Sequence, residues 1–350
     1  MKIVNSKSIL LLLLVVAMIS SCSKKESFPT DDNQVIIDTG SGLTFRKASL
    51  RDQPVDFVVY DEQGNEISEN ITFYVDGTAL DGNTFQSSSE GSFEIYAQYE
   101  IDGTTYVTET DTFSVIIPKQ KIMLEDYTGA WCGYCPAVSA AIEAVAAQTD
   151  DISTVAIHNQ DEIALSIEAA LRNEFAVGGF PSGRINRTTT WGSILTFPTT
   201  QVTDIAGQEV PVAISINSSV NSGVLSVQIH VASENELQDK KLVVYLTEDG
   251  ILLDQTNYFN NDETSPYYGL GNPIIDFEQN HVLRASLTDP FGDAIPSTSA
   301  YTDYEFTTTY SIPSNFVVEK LHLVAMVVEA SDNSAVNTQN AAVNAFKPYE

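Results

Sequence analysis

Basic residues and cysteines are scarce in this chain of 350 residues. Its 17 lysines and arginines are set against 47 aspartates and glutamates, so the net charge is −30. Neutralising phosphates requires basic surface, and a general nucleic-acid-binding function is therefore not expected. Three cysteines and four isolated histidines do not supply the paired ligands of a zinc site. After residue 19 no apolar run has the length of a transmembrane helix.

Hydrophobic residues, in contrast, are abundant enough to build packed cores. They make up 43% of the chain, which includes 16 phenylalanines and 15 tyrosines. This composition argues against wholesale disorder. At roughly 150 residues per domain, the length predicts two or three domains.

The N-terminus has the pattern of an export signal. Lys2 and Lys7 precede an uninterrupted apolar run of 11 residues at positions 9–19. This length suits the hydrophobic region of a signal peptide and is shorter than the ~20 residues that span a bilayer. We therefore predict that residues 1–21 are a signal peptide.

A cysteine directly follows this segment. The sequence Ile19-Ser20-Ser21-Cys22 resembles the lipobox of bacterial lipoproteins, whose cysteine carries palmitate or a similar acyl chain and begins the mature protein. The resemblance implies an anchor at Cys22 and a polar tether at residues 22–33. Ser23 stands where enteric inner-membrane lipoproteins have aspartate, which implies the outer membrane, on its periplasmic or its surface face. The alternative is ordinary signal cleavage beside a chance cysteine.

After the tether, the chain divides into three segments with different sequence patterns. Together they predict a multidomain fold with one α/β domain and two all-β domains. Residues 34–118 show short alternating strands and turn signals such as Asp102-Gly103, which predict an immunoglobulin-like β-sandwich without a candidate site. Residues 119–209 alternate buried strands with helical patterns of 10–15 residues, which predicts an α/β domain. Residues 210–350 return to alternating strands and predict an antiparallel β-sandwich.

Cys132 and Cys135 lie between a predicted strand and an alanine-rich helix. Zinc binding, a structural disulfide and redox chemistry are the three interpretations of this pair. Closing a ring of four residues removes only about 2 kcal/mol of chain entropy, against about 4.7 for a hundred-residue loop, so a structural disulfide would be expected to span a longer segment. At a helix N-terminus the helix dipole favours a thiolate at Cys132, and Cys135, one turn inside, can attack a mixed disulfide. Pro136 suits the first helical turn. The geometry favours redox chemistry.

The segment resembles the active site of the thioredoxin superfamily. Trp131, before the first cysteine, matches that family. Asp126 stands at the position of a buried carboxylate that handles the proton of the second cysteine, and Glu125 is an alternative for this role. The pair Phe180-Pro181 lies at the distance of a family proline that is cis and faces the disulfide. The resemblance therefore implies a thioredoxin-like fold for residues 119–209.

The resemblance also implies roles for individual residues. Four are assigned to catalysis, with Cys132 attacked first, Cys135 resolving, Asp126 relaying the proton and Pro181 orienting the substrate. The side chains expected at the substrate are Trp131, Tyr134, Phe180 and His158. For His158, a cap on the end of its strand through a backbone hydrogen bond is favoured over a direct role. The acidic loop at residues 260–263 is interpreted as solvated rather than as a calcium site.

The order of motifs narrows the resemblance further. The lipobox, the approach to the cysteines at residues 125–129, the segment Gly179-Phe180-Pro181 and the segment Asn280-His281-Val282-Leu283-Arg284 are similar to the Bacteroidetes outer membrane protein twenty-eight lipoproteins. The similarity runs from about residue 119 to the C-terminus. The N-terminal sandwich lies outside it.

These observations together predict a lipid-anchored envelope protein that performs thiol–disulfide exchange. Its partners would be exported cysteine-containing proteins or a redox partner protein, and it would need no bound cofactor or metal. The alternative is an outer-membrane surface binding or adhesion lipoprotein in which the thioredoxin-like domain is a non-catalytic scaffold. An accessible, readily reduced disulfide would favour the first function, and a buried, inert one the second.

Overall fold

The computed structural model describes residues 42–350, except residues 45, 62 and 194. The predicted signal peptide (residues 1–21), the lipidation site at Cys22 and the tether (residues 22–33) lie outside the described residues. So does the beginning of the predicted N-terminal sandwich. For these segments the sequence analysis stays a prediction.

Short strands build the N-terminal part, because turn-forming residues interrupt its alternating apolar pattern. The strands are β1 (Leu43–Thr44), β2 (Ala48–Leu50), β3 (Val55–Asp56), β4 (Val58–Val59), β5 (Ile71–Val75), β6 (Thr78–Ala79), β7 (Thr84–Phe85), β8 (Gly91–Ile101), β9 (Thr104–Val107) and β10 (Asp111–Ile116).

One hydrophobic core packs most of these strands together. Six of the described strands form a sheet in the order β2-β10-β8-β5-β6, with β9 paired to β8, while β1 pairs with β4 and β3 with β7. The rings of Phe73 and Phe113 pack against Phe57 in this core. The predicted hairpin at Asp102-Gly103 joins β8 to β9, and both residues have positive φ. The immunoglobulin-like assignment of this part stays a prediction.

Strands and helices alternate in the next part, as their apolar periodicity predicts. The second helix has 7 residues and is shorter than the predicted 10–15. The carboxylate of Asp161 accepts the N–H of Ile163, and the segment before residue 168 forms turns. The elements are β11 (Ile122–Thr128), α1 (Pro136–Ala146), β12 (Ile152–His158), α2 (Glu168–Glu174), β13 (Ser182–Ile185), β14 (Thr189–Trp191) and α3 (Thr200–Thr203).

The C-terminal part is again made of strands, and many of them are long. They are β15 (Val212–Asn221), β16 (Val224–Ser233), β17 (Lys240–Glu248), β18 (Ile251–Gln255), β19 (Ile274–Gln279), β20 (Val282–Ser286), β21 (Asp293–Ala294), β22 (Tyr304–Ser311), β23 (Leu321–Glu329), β24 (Ala335–Ala342) and β25 (Phe346–Lys347), with a 3-10 helix at Val318–Lys320 before β23.

Nine of the described strands form one sheet, which we call the large sheet. Its order is β14-β13-β11-β12-β20-β17-β23-β24, with β21 paired to β17. Strand β12 runs parallel to β11 along its whole length and meets β20 through the parallel pair Ala156–Val282. Strands from both sides of the predicted boundary at residues 209 and 210 therefore share a sheet. Local sequence patterns do not predict this shared sheet, because the strand that pairs with the free edge of β12 lies far along the chain.

Different elements cover the two faces of the large sheet. One face packs against α2, with Met123, Val155 and Tyr245 among its buried side chains. The other face packs against α1 at one end, where Leu124 contributes. At its other end it packs against a second sheet in the order β22-β16-β15-β25. Since side chains alternate along a strand, even-numbered residues of β11 face α1 and odd-numbered ones face α2. In the part of the chain that the structure describes, no helix has the length and apolarity needed to cross a membrane.

Candidate functional site

The site is organised around a disulfide between Cys132 and Cys135, whose Cα atoms are 5.4 Å apart. Strand β11 is buried along its whole length and ends just before the cysteines, and α1 begins just after them. The N–H of Cys135 bonds to the carbonyl of Cys132 at 3.2 Å, so the pair closes a single turn. Of the three interpretations of the motif, this arrangement leaves the structural and the redox disulfide.

Helix α1 begins later than the sequence analysis expects. Pro136 is its first residue and Cys135 is its N-cap, so Cys135 does not lie one turn inside the helix. Proline lacks an N–H, which suits the first helical position. The first turn is closed by 3-10-type bonds from the N–H groups of Ala137 and Val138 to the carbonyls of Tyr134 and Cys135, at 3.1 and 3.0 Å. Cys132 lies in the turn before the helix. Both sulfurs are therefore near the positive end of the α1 dipole.

A segment of the C-terminal part covers the disulfide. Only 4% of Cys132 and 1% of Cys135 is exposed. The N–H of Thr256 bonds to the carbonyl of Ala130 at 2.8 Å, and the N–H of Tyr258 bonds to the carbonyl of Gly133 at 2.9 Å. A Cβ on Gly133 would lie 2.4 Å from the Tyr258 ring, so only glycine fits beneath that ring.

Aromatic rings surround the covered disulfide. Trp131 is 46% exposed and meets Phe180 edge to face, with the ring centres 5.5 Å apart. Tyr134 is 41% exposed and packs against Tyr258 and Phe259, with ring centres 5.0 and 5.7 Å away. Such amphipathic rings are typical of recognition surfaces. The substrate-binding role assigned to Trp131, Tyr134 and Phe180 stays a prediction.

Asp126 is a buried carboxyl on the face of β11 that packs against α1. It is 2% exposed, and its Oδ1 atom has no hydrogen-bond partner among the described residues. Burial raises the pKa of Asp126 to about 8, because the charged form is poorly solvated there. Near neutral pH the carboxyl therefore holds a proton that it can give up or take back.

Glu125 points to the opposite face, towards α2. Its Oε1 atom lies 3.2 Å from Nε of Arg187, and neither side chain is exposed. The Arg187 guanidinium also donates to the hydroxyl of Tyr245, at 3.0 Å, and lies over the ring of Phe175. Burial raises the pKa of Glu125, and the charge of Arg187 opposes that rise. Glu125 is thus held in a buried ion pair on the other side of β11 from α1, which does not support the alternative that it serves Cys135.

His158 ends β12 and pairs with a carboxylate instead of capping its strand through the backbone. Its Nδ1 lies 2.7 Å from Oδ2 of Asp161, and its Nε2 has no partner among the described residues. The same Asp161 oxygen accepts the N–H of Ala130, in the loop before the cysteines. Burial raises the pKa of Asp161, but the hydrogen bond and charge of His158 and the N–H groups of Ala130 and Ile163 together lower it by more, so the net shift is downward. The His158 side chain is 1% exposed, so the expected contact with substrate is not available in this structure; the pair instead braces the loop.

The Phe180–Pro181 peptide bond is cis, the conformation that the thioredoxin resemblance implies. Strand β13 starts at the next residue, Ser182, and pairs with the end of β11 at Tyr127. This pairing brings the proline segment to the same end of the large sheet as the cysteines. Its substrate-orienting role stays a prediction.

The acidic loop at residues 260–263 is held by its own turns. One carboxylate oxygen of Asp262 accepts the N–H and the hydroxyl of Thr264, and the side-chain oxygen of Asn260 accepts the N–H of Gly271. These contacts use one side-chain oxygen of Asp262 and one of Asn260 internally. The interpretation as a solvated loop stays a prediction.

Two family models match the chain, and the residue ranges that they match agree with the architecture described above. The thioredoxin model matches residues 104–190, which contain the disulfide and the cis proline. The model described as outer membrane protein Omp28 matches residues 168–347, more than half of the chain. This chain belongs to the Omp28 family. The overlap of the two matches at residues 168–190 agrees with a sheet that continues from the thioredoxin-like strands into the C-terminal ones.

Among solved structures, HBP35 of Porphyromonas gingivalis is similar to this Omp28 family member with a TM-score of 0.50 and 18% sequence identity. The similarity covers 65% of this chain and 76% of HBP35, and at this identity it supports the fold alone. A DUF3823 family protein from Bacteroides ovatus reaches a TM-score of only 0.21 at 9% identity, over 85% of this chain and 98% of its own. No curated protein matches the chain.

Several residues of the site escape sequence reasoning. Asp161 has a local signal, since it stands three positions after His158 at the end of a strand. Tyr258 and Arg187 have none, because each meets its partner only through long-range packing. Arg187 also has a positive φ of 72°, which nothing in its residue type suggests.

Proposed function

We propose that this Omp28 family member performs thiol–disulfide exchange on exported proteins while anchored to the outer membrane by lipid. Cys132 would form the mixed disulfide and Cys135 would resolve it. Asp126 would hold or take the proton of Cys135. The partner would be an exported cysteine-containing protein or a redox protein, and the exchange would need no additional cofactor.

One observation carries the proposal, namely the unpaired buried carboxyl of Asp126. An acid in this position costs stability, because its charged form is desolvated and its Oδ1 lacks a partner. A disulfide that served only as a staple would gain nothing from it. Buried acids with strongly shifted pKa values are typical of functional sites. Asp126 faces α1, the helix that has Cys135 as its N-cap, and a proton acceptor on this face would serve that cysteine.

The exchange can be written as two balanced steps. A substrate thiolate attacks Sγ of Cys132, the bond between the two sulfurs breaks, and Cys135 leaves with the electron pair and takes the proton of Asp126. A second substrate thiolate then attacks the substrate sulfur of the mixed disulfide and releases Cys132 as a thiolate. The substrate becomes a disulfide and the protein a dithiol. In the reverse direction Cys135 gives its proton to Asp126 as it attacks.

The location has two supports. The family that the chain belongs to is described as an outer membrane protein family. The N-terminal sequence around Cys22 resembles a lipobox, and an acylated cysteine would provide a membrane anchor. Both support placing the exchange in the cell envelope.

A second function, binding or adhesion with a non-catalytic scaffold, is favoured by the burial of the disulfide. Cys132 is only 4% exposed and the Tyr258 ring packs on the adjacent Gly133, so a partner thiol can reach the sulfur only if the covering segment moves. The two functions differ in whether that movement takes place in solution.

The reduction potential of the full chain tests the proposal. We expect a value in the range of thiol–disulfide oxidoreductases, roughly −120 to −270 mV, measured by equilibration in thiol redox buffers. A Cys135→Ala variant should capture partner proteins as mixed disulfides, because the resolving thiol is absent, whereas the Cys132→Ala control should not. A potential below about −300 mV, with no capture by either variant, would establish the scaffold function instead.

A further inference from the structure

A buried side-chain amide lies against the turn that carries the disulfide. Gln255 is the last residue of β18 and is 2% exposed. Its Nε2 atom donates to the carbonyl oxygen of Cys132 at 2.9 Å and approaches that of Gly129 at 3.4 Å. It also donates to the carbonyl of Thr256 at 3.1 Å. A residue from the part of the chain that the Omp28 model matches therefore contacts the main chain of the first cysteine.

The carbonyls of Gly129 and Cys132 also take part in the backbone bonds that shape this turn. The carbonyl of Gly129 accepts the N–H of Cys132 at 2.9 Å, and the carbonyl of Cys132 accepts the N–H of Cys135 at 3.2 Å. Gln255 adds a side-chain donor to both acceptors. We call residues 129–135 the cysteine turn. Because a buried amide that lost these acceptors would be left unsatisfied, Gln255 and the cysteine turn hold each other in position.

A second buried amide orients Gln255. Nε2 of Gln279, in β19, donates to Oε1 of Gln255 at 3.0 Å, and Gln279 is 6% exposed. Since Oε1 accepts from Gln279, the NH₂ end of the Gln255 amide is directed to the cysteine turn. Gln279 also lines a small cavity of about 60 Å³ together with Asp126 and His281. It therefore lies on the same side of the large sheet as Asp126.

The segment that covers the disulfide follows Gln255 directly. It comprises residues 256–273, between β18 and β19. Cys132 is 4% exposed, so a partner thiol reaches it only when this segment moves. Gln255 itself belongs to β18 and pairs with Ile274 of β19. Because strand pairing sets its place, its bonds to the cysteine turn can persist while the covering segment moves.

Reduction of the disulfide removes one of the ties within the cysteine turn. In the oxidised protein the bond between the sulfurs joins Cys132 to Cys135. Once this bond is broken, the two sulfurs stay close only if the backbone of the turn keeps its conformation. Holding reacting groups in place raises their effective concentration, and with it the rate at which they combine. The bonds from Gln255 to the carbonyls of the turn provide such a hold.

We propose that Gln255 is a positioning residue that holds Cys132 within reach of Cys135 in the reduced protein and in the mixed disulfide. The proposal rests on the exchange proposed above and assigns Gln255 no bond to substrate or sulfur. In the resolving step the thiolate of Cys135 attacks Sγ of Cys132. The bond from Cys132 to the substrate sulfur breaks, and the substrate leaves as a thiolate with the electron pair. Gln255 raises the rate of this step by keeping the cysteine turn closed.

Loss of this hold should also shift the redox equilibrium. Without the Gln255 amide the reduced turn gains conformational freedom, whereas the oxidised turn is still restrained by the bond between its sulfurs. The dithiol is then favoured relative to the disulfide. The effective concentration of the two thiols falls and the reduction potential rises, a tenfold fall corresponding to about 30 mV for this two-electron couple.

The covering segment offers a matched control. Gln255→Met removes the amide while roughly keeping the length and volume of the side chain. Asn257→Leu does the same at a neighbouring buried amide, which is 1% exposed. Nδ2 of Asn257 donates to the carbonyls of Tyr267 and Gly271, within the covering segment. Both replacements lose a buried amide, but only the first removes a bond to Cys132.

Two measurements test the role of Gln255, in full chains with Cys22→Ala, so that Cys132 and Cys135 are the only cysteines. In dithiothreitol redox buffers we expect Gln255→Met to lower the effective concentration of the thiols by on the order of tenfold. Asn257→Leu should leave it unchanged. When the reduced chain reacts with dithiobis(nitrobenzoate) in stopped flow, the first release of thionitrobenzoate reports mixed-disulfide formation and the second reports attack by Cys135. In Gln255→Met the second release should be slower by a similar factor, whereas the first, which is bimolecular, should keep the wild-type rate.

The outcomes separate this proposal from the function on which it rests. If the wild-type potential is below about −300 mV and no mixed disulfide forms, the exchange function fails. If the wild type exchanges, and Gln255→Met keeps its effective concentration and its resolving rate, the positioning role is refuted. The positioning role is also refuted if Asn257→Leu lowers the effective concentration as much as Gln255→Met, because the effect then comes from the covering segment.

A second variant covers the case in which Gln255→Met does not fold. Gln255→Asn keeps a polar amide at the end of β18 but is one methylene shorter, so its N–H groups no longer reach the carbonyl of Cys132. Circular dichroism checks that the variant is folded. We expect the same fall in effective concentration and the same slower resolving step, and wild-type values for both in folded Gln255→Asn would overturn the proposal.

Discussion

Replacing Asp126 by asparagine should stabilise the oxidised protein at neutral pH, although it removes a group of the candidate site. The carboxyl is buried against α1, and its pKa is raised from 3.8 to about 8 by desolvation. Between these two values the unfolded chain has lost the proton that the folded chain still holds. Protons then favour the folded state, so the free energy of unfolding falls as the pH rises through this window.

The size of the effect follows from the shift. Each pH unit inside the window changes the free energy of unfolding by about 1.4 kcal/mol. From pH 4 to pH 7 the wild type should lose up to about 4 kcal/mol through this one carboxyl. That is a large part of the ~5–15 kcal/mol that stabilises a typical domain. Asparagine does not titrate, so the advantage of Asp126→Asn should be near zero at pH 4 and largest above pH 7.

Urea unfolding of the oxidised chain at several pH values measures this difference. Both tryptophans, Trp131 and Trp191, lie in the thioredoxin-like part, so their fluorescence reports on the unit that contains Asp126. Asp204→Asn, at an exposed carboxyl of the same part, is the control and should leave the profile unchanged. Parallel stability profiles for wild type and Asp126→Asn would refute the argument that a protonated buried carboxyl is present.

Three further changes test other contacts. Tyr258→Ala should speed reduction of the disulfide by dithiothreitol severalfold, because the Tyr258 ring covers Gly133 beside the cysteines. The control Tyr268→Ala, which removes an exposed ring of the same segment, should leave the rate unchanged. Equal reduction rates for Tyr258→Ala and the wild type would mean that the Tyr258 ring is no barrier. Arg187→Met should lower the free energy of unfolding by about 3–5 kcal/mol, because it leaves Glu125 buried without its partner; adding Glu125→Gln should recover part of this in urea unfolding. Cys22→Ala should release the protein from membranes, and its retention after a high-salt wash would contradict the lipid anchor.

Much of the candidate site can be read from local sequence. The spacing of Cys132 and Cys135, with Pro136 after them, places a cysteine pair at the start of a helix, and the helix begins there within a few residues. The hairpin at Asp102-Gly103 follows from the need for positive φ at both turn positions. The resemblance to the Omp28 lipoproteins agrees with the family match. These features depend on neighbours in the chain, which a sequence displays directly.

The choice between Glu125 and Asp126 needed the tertiary structure. Strand alternation puts the two carboxyls on opposite faces of β11, but it does not determine which of these faces α1, the helix after the cysteines, packs against. Tertiary packing determines the face, because α1 covers the face that carries Asp126, while Arg187 pairs with Glu125 on the opposite face. The exposure of the disulfide was likewise decided by the segment around Tyr258, which comes from a distant part of the chain.

The large sheet is the main feature that the sequence does not display. The composition of the sequence separates an α/β part from a β part near residue 209, and the secondary structure changes there as well. The parallel pair Ala156–Val282 nevertheless joins both parts and brings His281 beside the cavity of Asp126. Periodicity determines which residues form strands and which way they face. Which edges then pair depends on complementary surfaces brought together from distant parts of the chain, and only the folded molecule supplies that information.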